Sequence, residues 1–126
     1  MKKSREIISP LNRESEEMLL VFLKRDLKKI GLYDSSVEIK IRPFSKTFEG
    51  RYFIKSQRIF LYPYDREGRY DYAEVFKTLV HEMIHHLQYQ NPSYERVKGV
   101  MHNAEFYKLY EHYIKKARER IESFRG

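Results

Sequence analysis

Two histidines four residues apart, His81 and His85, with a glutamate directly after the first, are the residues of this sequence best suited to metal chemistry. They stand in the stretch TLVHEMIHHLQYQ, residues 78–90. Residues four apart lie on one face of a helix, so both imidazoles can point at one metal ion about 2 Å away. Glu82 is turned from His81 by about 100° and can reach a metal-bound water without being a ligand. This is the HExxH pattern of two ligands and a general base.

The two histidines do not complete a catalytic zinc site, which usually has three protein ligands and one open position. His102 is the expected third ligand, because it stands at the start of the last predicted helix after a connector long enough to fold back. Glu105 lies one turn further on the same face, so it could instead bind the metal or hold a ligand by a hydrogen bond. Another acid, such as Glu95, is a further candidate. Sites rich in histidine favour zinc over other divalent ions.

The other two histidines are expected to have no contact with the metal. His86 is turned from His85 by about 100°, which predicts a position either at the surface or in contact with one of the metal-binding side chains. His112 falls within the last predicted helix and is expected to have an ordinary structural role. The motif lies late in an apolar helix, where buried His and Glu side chains need partners that a metal would supply. The alternative is a pair of surface histidines on a charged helix face.

The composition predicts a single globular domain over residues 1–126, with 41% hydrophobic residues and no repeat or linker. There is no cysteine, which excludes disulfides, a cysteine-based zinc ribbon and a thiol nucleophile. The longest apolar run, MLLVFL at residues 18–23, is too short to span a bilayer. The first residues contain no apolar run of signal-peptide length, so the expected location is cytoplasmic, with no membrane partner.

The formal net charge of +7 is the remaining global feature, and a basic surface attracts nucleic acid or acidic proteins at low salt. The positive charge is scattered among 18 acidic residues, so the simpler interpretation is a solvated charged surface. DNA is therefore a compatible partner that the charge does not by itself establish.

The hydrophobic pattern predicts elements in an order typical of an α+β fold. A helix starting at Ser9-Pro10 and stopping at Gly31 precedes a strand around residues 37–42. Two further strands flank a polar turn at residues 55–58. An apolar helix from about residue 70 to 91 carries the motif, and a last helix spans roughly residues 103–123. We therefore expect an N-terminal helix, a three-stranded sheet, the active-site helix and a C-terminal helix.

The stretches LVHEMIHHLQ and KGVMHNAEFYKLY, at residues 79–88 and 98–110, resemble the SprT-like family of zinc metalloproteases. In that family and its WLM relatives, a third metal-binding His opens the next helix in an H-G/N-x-x-F element, which His102 to Phe106 matches. The GRY stretch at residues 50–52 also has the place expected before the motif helix. Without the zinc ribbon or long tails of many members, the chain resembles a bare zincin-like catalytic core. The minigluzincins, small zincins of archaeal type, use a Glu as third ligand, which keeps Glu105 open.

The resemblance implies a zinc metalloendopeptidase. Zn²⁺ held by His81, His85 and His102 would activate a water, and Glu82 would take its proton and pass it to the leaving amine. A protein or peptide substrate would pair with one strand of the hairpin, around residues 59–62. Some SprT-like enzymes degrade proteins crosslinked to DNA, and the basic charge is compatible with that. Two alternatives stay open: a latent or non-catalytic zincin-fold protein with a binding or regulatory role, and a basic nucleic-acid binder whose motif is accidental.

Overall fold

The computed structural model describes residues 13–45, 49–90 and 104–125. Its elements in chain order are α1 (Arg13–Lys29), β1 (Glu38–Ile41), β2 (Gly50–Phe53), β3 (Arg58–Leu61), α2 (Tyr72–Gln90) and α3 (Ala104–Glu122). A short 3-10 turn, Ser123–Arg125, follows α3. This order of elements confirms the α+β class predicted from the sequence, and the predicted helix start at Ser9-Pro10 lies outside the described residues. None of the described helices is both long and apolar enough to cross a membrane.

β3 is the central strand of the sheet, with β1 parallel to it on one side and β2 antiparallel on the other. The predicted hairpin is β2–β3, and its turn covers residues 54–57, one residue earlier than predicted, so Ile54 is exposed. Side chains alternate between the two faces of a strand, and Ile39, Ile59 and Leu61 are buried on the face that meets the helices.

The central place of β3 contradicts the expectation that a substrate pairs with residues 59–62. Both edges of β3 over residues 58–61 are occupied, by β1 and by β2, and an extended peptide needs a free row of main-chain N–H and C=O groups. The N–H of Tyr62 also donates to the carbonyl oxygen of Glu49, 2.9 Å away. The alternating pattern reveals a hairpin but not that β1 adds to its second strand. In the described sheet, β2 is the hairpin strand that lies at an edge.

The apolar face of α2 is buried against the sheet and α3, as its helical period predicts. Six of its hydrophobic side chains are buried: Val75, Phe76, Leu79, Val80, Met83 and Ile84. Each large apolar side chain stabilises the fold by roughly 1.5–3 kcal/mol when fully buried. α2 therefore cannot rotate about its axis without exposing this face, and the orientation of its polar side chains is fixed with it.

α1 ends before Gly31, as predicted, in a turn that sets the direction of the next loop. Gly31 has a φ of 78°, a left-handed conformation that side chains with a Cβ adopt only at a cost. The N–H of Leu32 donates to the carbonyl oxygen of Leu27 at 2.9 Å, and the N–H of Gly31 donates to that of Lys28 at 3.1 Å, which are the two hydrogen bonds of a Schellman motif. Leu27 and Leu32 are both buried. This turn leads the chain to Asp34, which contacts α2.

Asp26 is a fully buried carboxylate that links all three described helices. Arg25 of α1 donates from Nε to Oδ1 at 3.0 Å and from Nη2 to Oδ2 at 3.1 Å. Nε of Arg120 in α3 donates to Oδ1 at 2.8 Å, and the hydroxyl of Tyr72 in α2 donates to Oδ2. Burial acts to raise the pKa of Asp26, but these hydrogen bonds from Arg25, Tyr72 and Arg120 outweigh it and hold the pKa below its ordinary value.

Asp26→Asn is expected to lower the free energy of unfolding by about 3 kcal/mol, because two guanidinium groups lose the carboxylate that they share. Urea unfolding at neutral pH measures the loss. Glu38→Gln is the matched control: Glu38 pairs with Lys40 and Arg58, but its side chain is 51% exposed, so the stability should change little. Equal losses in the two variants would contradict the role given to Asp26.

Candidate metal centre

His81 and His85 lie side by side on one face of α2, as their spacing predicts. Their ring centroids are 5.0 Å apart, with His85 buried and His81 partly exposed. The ring of Phe106 from α3 packs against both, with centroid distances of 5.0 Å to His81 and 4.8 Å to His85. The two imidazoles are therefore held together between α2 and the first turn of α3, in an arrangement that suits two ligands of one ion.

Gln88 fixes the tautomer of His85. Oε1 of Gln88 lies 2.9 Å from Nδ1 of His85, and because an amide oxygen only accepts hydrogen bonds, Nδ1 carries the proton. Nε2 is then the unprotonated nitrogen, the form in which an imidazole binds a metal. Gln88 is only 2% exposed, so water competes little for this bond. The sequence prediction missed this residue, although its three-residue spacing from His85 places it on the same helix face.

Glu82 faces a cleft of about 530 Å³ whose walls include Glu49, Gly50, His81 and Tyr110. Only 9% of Glu82 is exposed. Burial raises the pKa of its carboxyl to about 7, and a hydrogen bond donated by the backbone N–H of Tyr52 acts in the opposite direction. A carboxyl with a pKa near neutrality both accepts and releases protons readily at neutral pH, as a general acid–base catalyst must.

Gly50 allows β2 to lie directly against α2 at this cleft. A Cβ at residue 50 would lie 2.7 Å from Cγ2 of Thr78 and 3.3 Å from Cγ of Glu82. Carbon atoms that are not bonded to each other do not approach as closely as 2.7 Å, since their optimal separation is about 3.5–4.0 Å. The glycine is therefore required for close packing, and this packing covers one side of Glu82.

His86 is fully buried, so the prediction of a surface position for it is wrong. Its Nε2 lies 2.9 Å from Oδ2 of Asp34, and its Nδ1 lies 2.9 Å from the hydroxyl oxygen of Tyr52. The N–H and the hydroxyl of Ser36 both donate to Asp34 and hold the pKa of its carboxyl below the ordinary value. The ring of His86 is thus satisfied by distant residues that no local pattern reveals. His112 is exposed on α3.

The third metal ligand remains a prediction. His102 and Glu95 lie outside the described residues, and so does the side chain of Glu105, whose main chain belongs to α3. Within residues 13–45, 49–90 and 104–125, no group of three His, Cys, Asp or Glu side chains is arranged to hold a metal ion. Phe106, which contacts the rings of both histidines of the pair, directly follows Glu105 in the chain.

Gly50→Ala is expected to lower the free energy of unfolding by about 1–3 kcal/mol, because the added methyl group strikes Thr78 and presses on Glu82. Thr78→Ser removes the Cγ2 methyl group that causes the closest contact. The double variant should therefore have nearly the same free energy of unfolding as Thr78→Ser alone, as measured by urea unfolding. Additive losses would show that the two positions do not meet.

The metal-free protein is expected to lose stability as the pH rises from about 4.5 to about 7, because Glu82 ionises at its ordinary value of 4.5 when unfolded but only at about 7 when folded. Below this window the carboxyl is neutral in both states. Above it, keeping the charge buried costs about 3 kcal/mol. Glu82→Gln has no ionisable group at this position. Its free energy of unfolding, measured in urea, should therefore exceed that of the chelator-treated wild type by an amount that grows as the pH rises across this window. A difference independent of pH would contradict the raised pKa.

Comparisons with known proteins give no relative from which a function could be transferred. No protein-family model matches the chain, and no match is found among curated proteins or among solved structures. A function can therefore be inferred only from the geometry of His81, Glu82 and His85 and from the chemistry of their surroundings.

Proposed function

We propose that this chain is a zinc-dependent metallopeptidase with a zincin-like core, related to the SprT-like family. The observation that carries the proposal is a cleft lined by His81 and Glu82, where His85 packs beside His81 on the same helix face and Glu82 is a buried carboxyl with a pKa of about 7. Burying a carboxyl destabilises a fold, and a strongly perturbed carboxyl in a cleft is typical of a functional site. The geometry therefore favours catalysis over a purely structural helix.

The imidazole nitrogens of His81 and His85 are donors that fit zinc. Zinc is bound by neutral imidazole nitrogens, and Gln88 holds His85 in the tautomer with an unprotonated Nε2. His81 and His85 would hold the ion together with His102, or with Glu105 in its place, as the resemblance implies. A bound zinc ion would act as a Lewis acid toward the scissile carbonyl group and would make a water molecule acidic enough to lose a proton near pH 7.

Glu82 supplies the proton transfers of the proposed hydrolysis. Its carboxylate accepts the proton of the attacking water and then delivers it to the nitrogen of the leaving amine. A pKa of about 7 leaves much of the group ionised at neutral pH, yet keeps its acid form strong enough to protonate the amine. Tyr110 and Arg118 line the same cleft from α3, where their donors could face the carbonyl oxygen as negative charge develops.

The substrate in this proposal is an extended segment of a protein or peptide lying in the cleft between β2 and α3. β2 replaces residues 59–62 as the strand beside the substrate, because its Gly50 lines this cleft. Substrates associated with DNA are compatible with the net charge of +7 and with the basic groove that Lys24, Arg25, Lys28 and Lys29 form on α1. A cytoplasmic location fits a chain without cysteine.

The purified protein is expected to contain about one zinc ion per chain and to cleave an unfolded protein such as casein. Glu82→Gln should keep the zinc and lose about 10²- to 10⁴-fold in rate, because only the proton carrier is removed. His85→Ala should lose the zinc as well. Metal analysis by mass spectrometry and a fluorescent casein assay measure the two effects. Comparing the zinc affinities of His102→Ala and Glu105→Ala identifies the third ligand.

The other outcomes of this experiment have definite meanings. Zinc in both the wild type and Glu82→Gln, with no cleavage by either, would favour a latent or non-catalytic binding protein on the same scaffold. Well under one zinc ion per chain, with the pair of histidines intact, would favour a basic nucleic-acid binder in which the motif is accidental.

A further inference from the structure

We propose that His86, anchored by Asp34, acts through Tyr52 as a positioning residue for the Glu82 carboxylate. The inference rests on the proposed role of Glu82 in hydrolysis and adds three residues that the HExxH motif does not include. Their hydrogen bonds form a continuous path from the loop after α1, through α2, to β2 and back to the carboxylate.

The motif helix presents two neighbouring rows of side chains toward its surroundings. His81 and His85 form the first row, which faces α3 through Phe106. Glu82 and His86 are also four residues apart and form the second row, which faces β2. The sequence HEMIHH is therefore two interleaved pairs, one suited to binding a metal and one bound to a strand.

Tyr52 binds both members of the second row. Its backbone N–H donates to the carboxylate of Glu82, and its hydroxyl oxygen lies 2.9 Å from Nδ1 of His86. Its ring also stacks on Tyr89, one turn further along α2, with a centroid distance of 6.1 Å. Residue 52 is thus bound to Glu82 and to His86, two points of α2 that are separated by about 6 Å, the rise of four helical residues.

The proton positions along this path are consistent with one another. The carboxylate of Asp34 only accepts, so Nε2 of His86, 2.9 Å away, donates to it. In the neutral ring Nδ1 is then the acceptor, and the hydroxyl of Tyr52 donates to it. Asp34 is itself oriented by the hydroxyl and the N–H of Ser36, at 2.7 and 2.9 Å. Each hydrogen bond therefore has one defined donor and one defined acceptor, which gives the path one preferred arrangement.

This arrangement matters for Glu82 because its terminal torsion is otherwise loosely determined. The torsion that turns a carboxylate about its last carbon–carbon bond has broad minima. A hydrogen bond from a fixed N–H selects one orientation, provided that the donor itself does not move. Holding the side chain of Tyr52 on His86 fixes this donor. Because misplacing a reacting group by about 1 Å can reduce a rate by about 100-fold, such support can affect catalysis without contact with a substrate.

The kinetic test uses Tyr52→Phe, which removes the hydroxyl but keeps the ring and the backbone N–H. We expect kcat to fall about tenfold with KM and zinc content unchanged. Tyr70→Phe is the matched control, because Tyr70 is an exposed tyrosine away from the path, and it should keep the wild-type kcat. Adding Tyr52→Phe to Glu82→Gln should cause no further loss, since the path acts through that carboxylate. An unchanged kcat in Tyr52→Phe, or an independent further loss in the double variant, would overturn the proposal.

A second measurement does not depend on activity. In amide proton–nitrogen NMR spectra of the metal-free protein, Glu82→Gln should shift the Tyr52 amide signal, because the acceptor of its hydrogen bond changes. In the Tyr52→Phe background the same substitution should shift the amide signal of residue 52 by about half as much or less. If this coupling appears while the wild type cleaves nothing, the peptidase proposal fails and the positioning path is upheld. An undiminished response overturns the path, whether or not the protein is an enzyme.

Discussion

The close packing of β2 on α2 is the constraint on which the candidate site depends. It is possible only because residue 50 has no Cβ, which would lie 2.7 Å from Thr78. The packing excludes water from one side of Glu82 and so raises the pKa of its carboxyl to about 7. It also brings the N–H of Tyr52 to that carboxylate and its hydroxyl to His86. One steric requirement thus sets the solvation, the hydrogen bonding and the position of the proposed base.

The burial of Glu82 opposes folding, and the structure offsets that cost by fixing α2 on both sides of it. At the start of α2, the hydroxyl of Tyr72 donates to Asp26, which also binds a guanidinium group from each of the other two described helices. Near its end, His86 binds Asp34. Between these points lies the apolar face that holds α2 on the sheet. The destabilised carboxyl is therefore in the part of the helix that is least free to move away from its neighbours.

The features predicted from the sequence are those that nearby residues control. A spacing of four residues brings His81 and His85 together, and the alternating pattern defines the hairpin. The partners of His86 were not predictable, because they lie 52 and 34 residues away and no local pattern records such pairs. His86 was expected at the surface or in contact with a metal ligand, and the surface position was wrong because distant partners make its burial tolerable. The wrong substrate strand has the same cause, because the order of the sheet depends on where β1 joins the hairpin.

None of the residues from 78 to 88 is exposed. Most helices at the outside of a small domain have a polar face on which substitutions cost little, but this segment of α2 packs against α3, β2 and β3. A neutral change there has to be accompanied by a complementary change in a neighbouring element. Divergence among descendants of this chain should therefore proceed in this segment by paired exchanges, whereas the exposed faces of α1 and α3 are free to change one residue at a time.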